Sequence, residues 1–186
     1  DREVDKANPM IKDLKLSTQP FSTGDITPRQ GAFLLATLFA LGILLAWQIG
    51  LGFTLLFLLG WVAGVLYSAP PIRLKAHPVA DVVTNSVSSG FLCYAAGWSA
   101  VKAISTVPIM PAVWLTLFVS STYMLTLIID VDADRETGVS TTAVYFGSQK
   151  TARLSLVLLI ISYAFLIFVN IQQRLGWPYL LMIALF

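Results

Sequence analysis

Charge is scarce in this sequence: Asp, Glu, Lys and Arg make up 12% of its 186 residues, against about 25% in a typical soluble domain. There is one cysteine, Cys93, and one histidine, His77. A single thiol excludes an internal disulfide framework and any Cys/His metal cluster. Cys93 is expected to pack as a small hydrophobe. The net charge is only +2, with no basic run, which argues against nucleic acid as a partner. The start of the chain also lacks the basic, apolar and small-residue sections of a signal peptide.

Apolar residues fill the remaining space, at 56% of the chain, and they come in runs too long for a soluble core. Segment 31–50 is uncharged, and at about 1.5 Å per residue a helix of that length spans hydrocarbon about 30 Å thick. Further helices are predicted over 52–67, 79–100, 112–130 and 152–170, and a sixth begins near Trp177. The fold class is therefore an all-α, polytopic transmembrane helical bundle in a lipid bilayer, with about five full spans and a partial sixth. Residues 1–186 form one membrane-embedded domain. Because the chain opens on Asp1 and closes inside a short apolar run, 179–186, that domain is expected to continue at both ends. Gly60 and Gly64 form a GxxxG pair expected to pack two helices closely.

Charge is distributed unevenly between the two ends of these spans. With alternating crossings, segments 1–30, 67–81 and 130–153 share one side and hold ten of the twelve basic residues, leaving Lys102 and Arg174 opposite. By the positive-inside rule that side is cytoplasmic. All ten acidic residues lie there as well, an asymmetry the rule does not require.

Two of the acidic groups share one spacing, Asp1/Asp5 and Asp130/Asp134. On a helix, carboxylates at i and i+4 stand one turn apart on the same face, where they repel unless a cation lies between them. Oxygen ligands suit Mg²⁺, which binds through one or two carboxylates plus substrate phosphates. Two such pairs at one membrane surface would form a diphosphate clamp, whereas solvated helix ends would explain either pair alone. Asp132 falls on the opposite face from Asp130 and Asp134 and is expected either to support the ligands from behind or to face solvent. Asp81, Asn85 and Ser88 make one polar stripe, and Tyr123, Thr126 and Asp130 another. Both are expected to face a shared, wet cavity, because lipid cannot satisfy them.

Read as strings, these segments resemble a known family. Asp1-Arg-Glu-Val-Asp5-Lys-Ala-Asn8-Pro9 is similar to the later part of the first aspartate-rich motif, NDxxDxxxD, of the UbiA-type intramembrane prenyltransferases. Tyr67-Ser-Ala-Pro-Pro-Ile-Arg73-Leu-Lys75 resembles that family's YSxPPxRxK loop. Asp130-Val-Asp132-Ala-Asp134-Arg-Glu-Thr-Gly138, followed by Thr141-Thr-Ala-Val-Tyr-Phe-Gly147, resembles its second motif and TxAVxxG tail. Gly138 stands where a third Asp can occur, and Gln19-Pro20 where many members have Arg-Pro.

The resemblance implies an enzyme that transfers a polyprenyl group from an isoprenoid diphosphate donor to a hydrophobic acceptor, aromatic or lipid-like, using Mg²⁺. It implies Asp1, Asp5, Asp130 and Asp134 as the metal-holding, catalytic carboxylates. Arg73, Lys75 and Lys12 are candidate diphosphate contacts, since Arg suits bidentate phosphate binding and Lys point-charge neutralisation. Tyr67, Asn85 and Tyr123 complete the expected substrate-binding set; His77, in a loop before Pro78, is not expected to take part. The competing class is a secondary transporter or ion-binding carrier, since intramembrane acids also mark ion pathways. Transporters place such residues near the midplane, whereas these gather at one end of the spans.

Overall fold

The structure, a computed structural model, describes residues 25–173. The first helix, α1, covers Pro28–Ile49. It starts three residues before the apolar run because Thr27 and Gln30 form a reciprocal capping box and Pro28 occupies the first turn, where its missing N–H is harmless. Gly50, at φ 146°, turns the chain directly into α2, Leu51–Ser68. The two helices pack through Phe39 against Phe57 and Trp61, with ring centroids 6.1 and 4.6 Å apart.

A loop containing a cis Pro70–Pro71 bond and a single 3-10 turn, Leu74–Ala76, leads to the third crossing. That crossing, expected as one regular helix, is built in three consecutive pieces. These are α3 (Ala80–Ser86), a π-helical segment (Val87–Leu92) and α4 (Cys93–Ser99). The irregularity coincides with Gly90, where a Cβ would lie 2.6 Å from the Thr116 Cα. Only glycine allows that backbone approach.

After a 3-10 turn at Ile104–Thr106 comes α5, Ile109–Ile129. The hydrophilic stretch that follows holds two short helices, α6 (Val131–Glu136) and α7 (Thr142–Phe146), before α8, Ser148–Gln173. The α5–α8 interface is the most extensive in the bundle. At its centre the Ser121 hydroxyl donates to the Ser155 carbonyl and the Ser155 hydroxyl to the Ser121 carbonyl, both at 2.9 Å. Small hydroxylated residues at such a seam let backbones approach and satisfy themselves where lipid offers no partner.

Helices α1, α2, α5 and α8 are long and apolar enough to cross a membrane, and many of their large apolar side chains point outward. That pattern suits hydrocarbon as solvent. One buried apolar cluster lies toward the motif-bearing end, where Val82, Met124, Leu127, Val131 and Ala143 meet beneath the loops. Further buried residues, among them Ala46, Ala95, Ala112 and Val169, lie along the helices. The predicted sixth helix near Trp177 lies outside the described residues.

Candidate active site

Asp130 terminates α5 and opens α6, and its carbonyl accepts the Asp134 N–H at 2.9 Å. Within that single turn Asp132 and Asp134 differ sharply in exposure. The Asp134 residue is 7% exposed, and its Oδ2 accepts the Thr141 hydroxyl at 3.2 Å. The Asp132 side chain is 81% exposed and pairs with Arg135 at 3.6 Å, on the outer face, as the helical phase predicts.

Thr141 reaches Asp134 because the chain doubles back immediately after α6. Gly138, at φ 72°, takes the left-handed conformation. The Val139 N–H bonds the Asp134 carbonyl at 2.8 Å and the Gly138 N–H bonds that of Arg135 at 3.3 Å. This is a Schellman closure. Glycine takes this conformation at the least cost, which suits Gly138 to the turn.

Burial pushes the Asp134 carboxyl above the ordinary carboxylate range; the Thr141 hydrogen bond opposes this, Asp130 adds to it, Lys75 opposes it and Asp81 adds to it. Burial lowers the Lys75 ammonium from its usual value, with Asp134 pulling the other way. The loop carrying Arg73 and Lys75 thus stands beside the second motif. Arg73 itself is half-buried at φ 42°. His77 is used within this loop, its Nε2 lying 3.1 Å from the Ile72 carbonyl oxygen.

Deeper in the bundle, the hydroxyls of Tyr67 and Tyr123 hydrogen-bond each other, and Asn85 bonds Tyr67. Three separate elements, α2, α3 and α5, therefore meet in one polar cluster. A cavity of about 600 Å³ lies between α1, α2 and the third crossing, lined by Phe57, Gly60, Gly64, Ser88, Leu92 and Cys93 among others. Gly60, Gly64 and Tyr67 share one face of α2, being three to seven residues apart. The cavity lining follows α2 as far as Val65, Ser68 and Ala69, the neighbours of Tyr67 in sequence.

Several expectations are corrected here. Asp81 does not face a wet cavity: it is 0% exposed and its carboxylate accepts hydrogen bonds from Thr142 and Val82. The polar stripe on the third crossing therefore divides, Asn85 joining the tyrosines and Ser88 the cavity. Thr126 is exposed, and its hydroxyl donates back to the Tyr123 carbonyl at 2.8 Å within its own helix. Among the described residues Gly60 and Gly64 pack against no helix, since an added Cβ at either would meet nothing within 4 Å. Cys93 is an exposed cavity residue rather than a core one. Asp1, Asp5 and Lys12 lie outside the described residues.

Sequence reasoning passed over Thr141 and Thr142 as working groups. Their signal was available, since paired threonines before a short apolar helix mark an N-cap. Among the described residues, no group of three or more His, Cys, Asp or Glu side chains gathers to hold a metal. The donor set is instead two carboxylates one turn apart, Asp130 and Asp134. That set fits Mg²⁺, which takes few protein oxygens and completes its shell with water and phosphate.

Comparison with known proteins agrees with this geometry. The description "UbiA prenyltransferase family" matches residues 1–186. The chain is 33% identical over 153 residues to the probable homogentisate phytyltransferase 2, chloroplastic, of Oryza sativa, covering 77% of this chain and 40% of that protein. It is 29% identical over 158 residues to the lycopene elongase/hydratase of Haloferax volcanii, covering 81% and 47%. The chain thus spans less than half the length of these curated relatives. Its fold resembles the structure of a UbiA homologue from Archaeoglobus fulgidus bound to GPP and Mg²⁺, with a TM-score of 0.81 and 31% identity, covering 92% of this chain and 58% of that one. With its motifs, its helical bundle and a match along its whole length in agreement, the chain belongs to the UbiA prenyltransferase family.

Proposed function

We propose that this chain forms part of an integral membrane enzyme that transfers a polyprenyl group from an isoprenoid diphosphate to an aromatic or lipid-like acceptor, with Mg²⁺ and with its aspartate motifs on the cytoplasmic side. The observation that carries the reading is the pairing of two environments. Asp130, Asp134, Lys75 and Arg73 gather at one end of the bundle, and an apolar cavity of about 600 Å³ runs along α2 to Ser68 and Ala69, next to Tyr67 in sequence. A molecule with a polyanionic head and a hydrocarbon tail fits both. The cavity lies within the usual range of small-molecule sites, roughly 300–1,000 Å³.

In this reading Asp130 and Asp134, together with Asp1 and Asp5, would hold Mg²⁺. Bound there, the metal supplies Lewis-acid stabilisation of the departing diphosphate. Lys75 and Arg73 place positive charge against the diphosphate oxygens, and Lys12 is a third candidate for that task. Because Lys75 is partly desolvated, its charge acts more strongly there than it would in water. Tyr67 and Tyr123, fixed to each other and to Asn85, mark the junction of head and tail. Their ring faces suit a carbon that gains cation character as the carbon–oxygen bond breaks. The apolar walls exclude water, which would otherwise capture that carbon.

The relatives' names specify homogentisate, an aromatic ring, and lycopene, a polyene, which supports the acceptor class. The test is transfer by the full-length protein in membranes, with geranyl and geranylgeranyl diphosphate as donors and aromatic and polyene acceptors. Turnover that requires Mg²⁺ and disappears in Asp130→Ala and Asp134→Ala is expected. Metal-independent turnover, or either variant retaining wild-type rates, would overturn the reading.

A further inference from the structure

The fully buried carboxylate of Asp81 is not used by the chemistry proposed above, yet it makes the densest set of hydrogen bonds near the site. Its Oδ2 accepts the Thr142 N–H at 2.7 Å, and its Oδ1 accepts both the Thr142 hydroxyl and the Val82 N–H, the latter at 2.7 Å. The Thr142 hydroxyl in turn accepts the Val79 N–H at 2.7 Å. Val79 sits at φ 69°, a conformation that a β-branched residue rarely adopts. One threonine therefore fastens the end of the Arg73–Lys75 loop in a strained backbone state and ties it to the start of α7. Its neighbour, Thr141, holds the Asp134 carboxylate. Adjacent hydroxyls thus serve two different carboxylates.

We infer that Asp81 and Thr142 are positioning residues, forming a clasp that fixes the diphosphate-binding loop relative to Asp134. The inference rests on the transferase reading and adds to it a pair that touches neither substrate nor metal. Its physical basis is the cost of leaving a buried carboxylate or amide unpartnered, which keeps the clasp shut. A loop released from Thr142 could relax Val79 out of its left-handed state and carry Lys75 with it. Misplacement on the ångström scale is enough to weaken binding or transfer greatly.

The test uses the full-length protein and four variants, Thr142→Val, Thr142→Ser, Asp81→Asn and Asp81→Leu. Readouts are KM and kcat for donor transfer, binding of inorganic pyrophosphate with Mg²⁺, and hydrogen exchange of the residue 72–80 amides. Thr142→Val should raise donor KM and weaken pyrophosphate binding by at least about tenfold, with faster exchange at Val79. Thr142→Ser, which restores the hydroxyl, should recover wild-type values. Asp81→Asn keeps volume and one acceptor oxygen, so it should fall between wild type and Asp81→Leu. It also reads the same quantities if Thr142→Val fails to accumulate. Variants that lower only the amount of folded protein, with KM, pyrophosphate affinity and loop exchange unchanged, would show a purely structural role and overturn the inference. Failure of the wild-type protein to transfer prenyl groups would overturn the function itself, while exchange and pyrophosphate binding would still report on the clasp.

Discussion

Asp134 illustrates how one side chain is set against the stability of its own fold. Burial raises its carboxyl above the ordinary value. A carboxyl so shifted favours folding below its ordinary pKa, and that advantage is lost as pH rises to its folded value. At neutral pH, in metal-free buffer, its desolvation therefore disfavours the folded state. Asp134→Asn keeps an acceptor for the Thr141 hydroxyl and removes that penalty. The variant is expected to unfold at a higher temperature than wild type without Mg²⁺, while prenyl transfer falls by at least about a hundredfold. A variant less stable than wild type in metal-free buffer would contradict this assignment. Asp132→Asn changes an exposed side chain paired with Arg135, and its transfer rate should stay within about twofold of wild type, as surface pairs contribute little.

Two glycines decide the geometry of whole elements. Gly90 lets the π-helical segment lie against α5 with its backbone in near contact with Thr116. Gly90→Ala must push backbone against backbone, and is expected to lower stability by about 1–3 kcal/mol, measured as a fall in Tm in detergent. Gly138 closes α6 at φ 72° and directs the chain so that Thr141 meets Asp134. There an added Cβ meets no neighbour within 4 Å, so the cost is conformational alone. Gly138→Ala should destabilise by about 1 kcal/mol, a smaller effect than Gly90→Ala. The reverse order would show that the α6 turn is more crowded than the close helix contact.

Across the whole molecule, the cavity joins three crossings and offers a native reporter. Cys93 lines it and is exposed. In full-length protein carrying Cys93 as its only thiol, a small thiol reagent should label it, and geranylgeranyl diphosphate with Mg²⁺ should slow that labelling several-fold. Labelling indifferent to the donor would place the prenyl chain elsewhere. Gly60 faces the same space with room for a larger side chain. Gly60→Leu is therefore expected to fold as wild type and to shift donor preference from geranylgeranyl toward geranyl diphosphate, read as the ratio of kcat/KM values.

Much of this was legible from local pattern. Uncharged runs of membrane length specify helices and their solvent, because hydrocarbon leaves the backbone no partner but itself. Helical phase separates Asp134 from Asp132, since four residues return to a face and two leave it. The three motifs point to the family to which the chain belongs. The fates of Asp81, Gly60, Gly64 and Cys93 were not legible in the same way. Asp81 shares a face with Asn85 and carries the same headgroup as Asp134, yet it is consumed by Thr142, 61 residues away. Gly60 and Gly64 have the spacing of a packing motif yet, among the described residues, line a cavity instead. Periodicity fixes the face on which a residue stands. What stands opposite that face depends on how distant segments meet, and only the tertiary structure decides whether a polar or small group there finds a partner, a ligand or empty space.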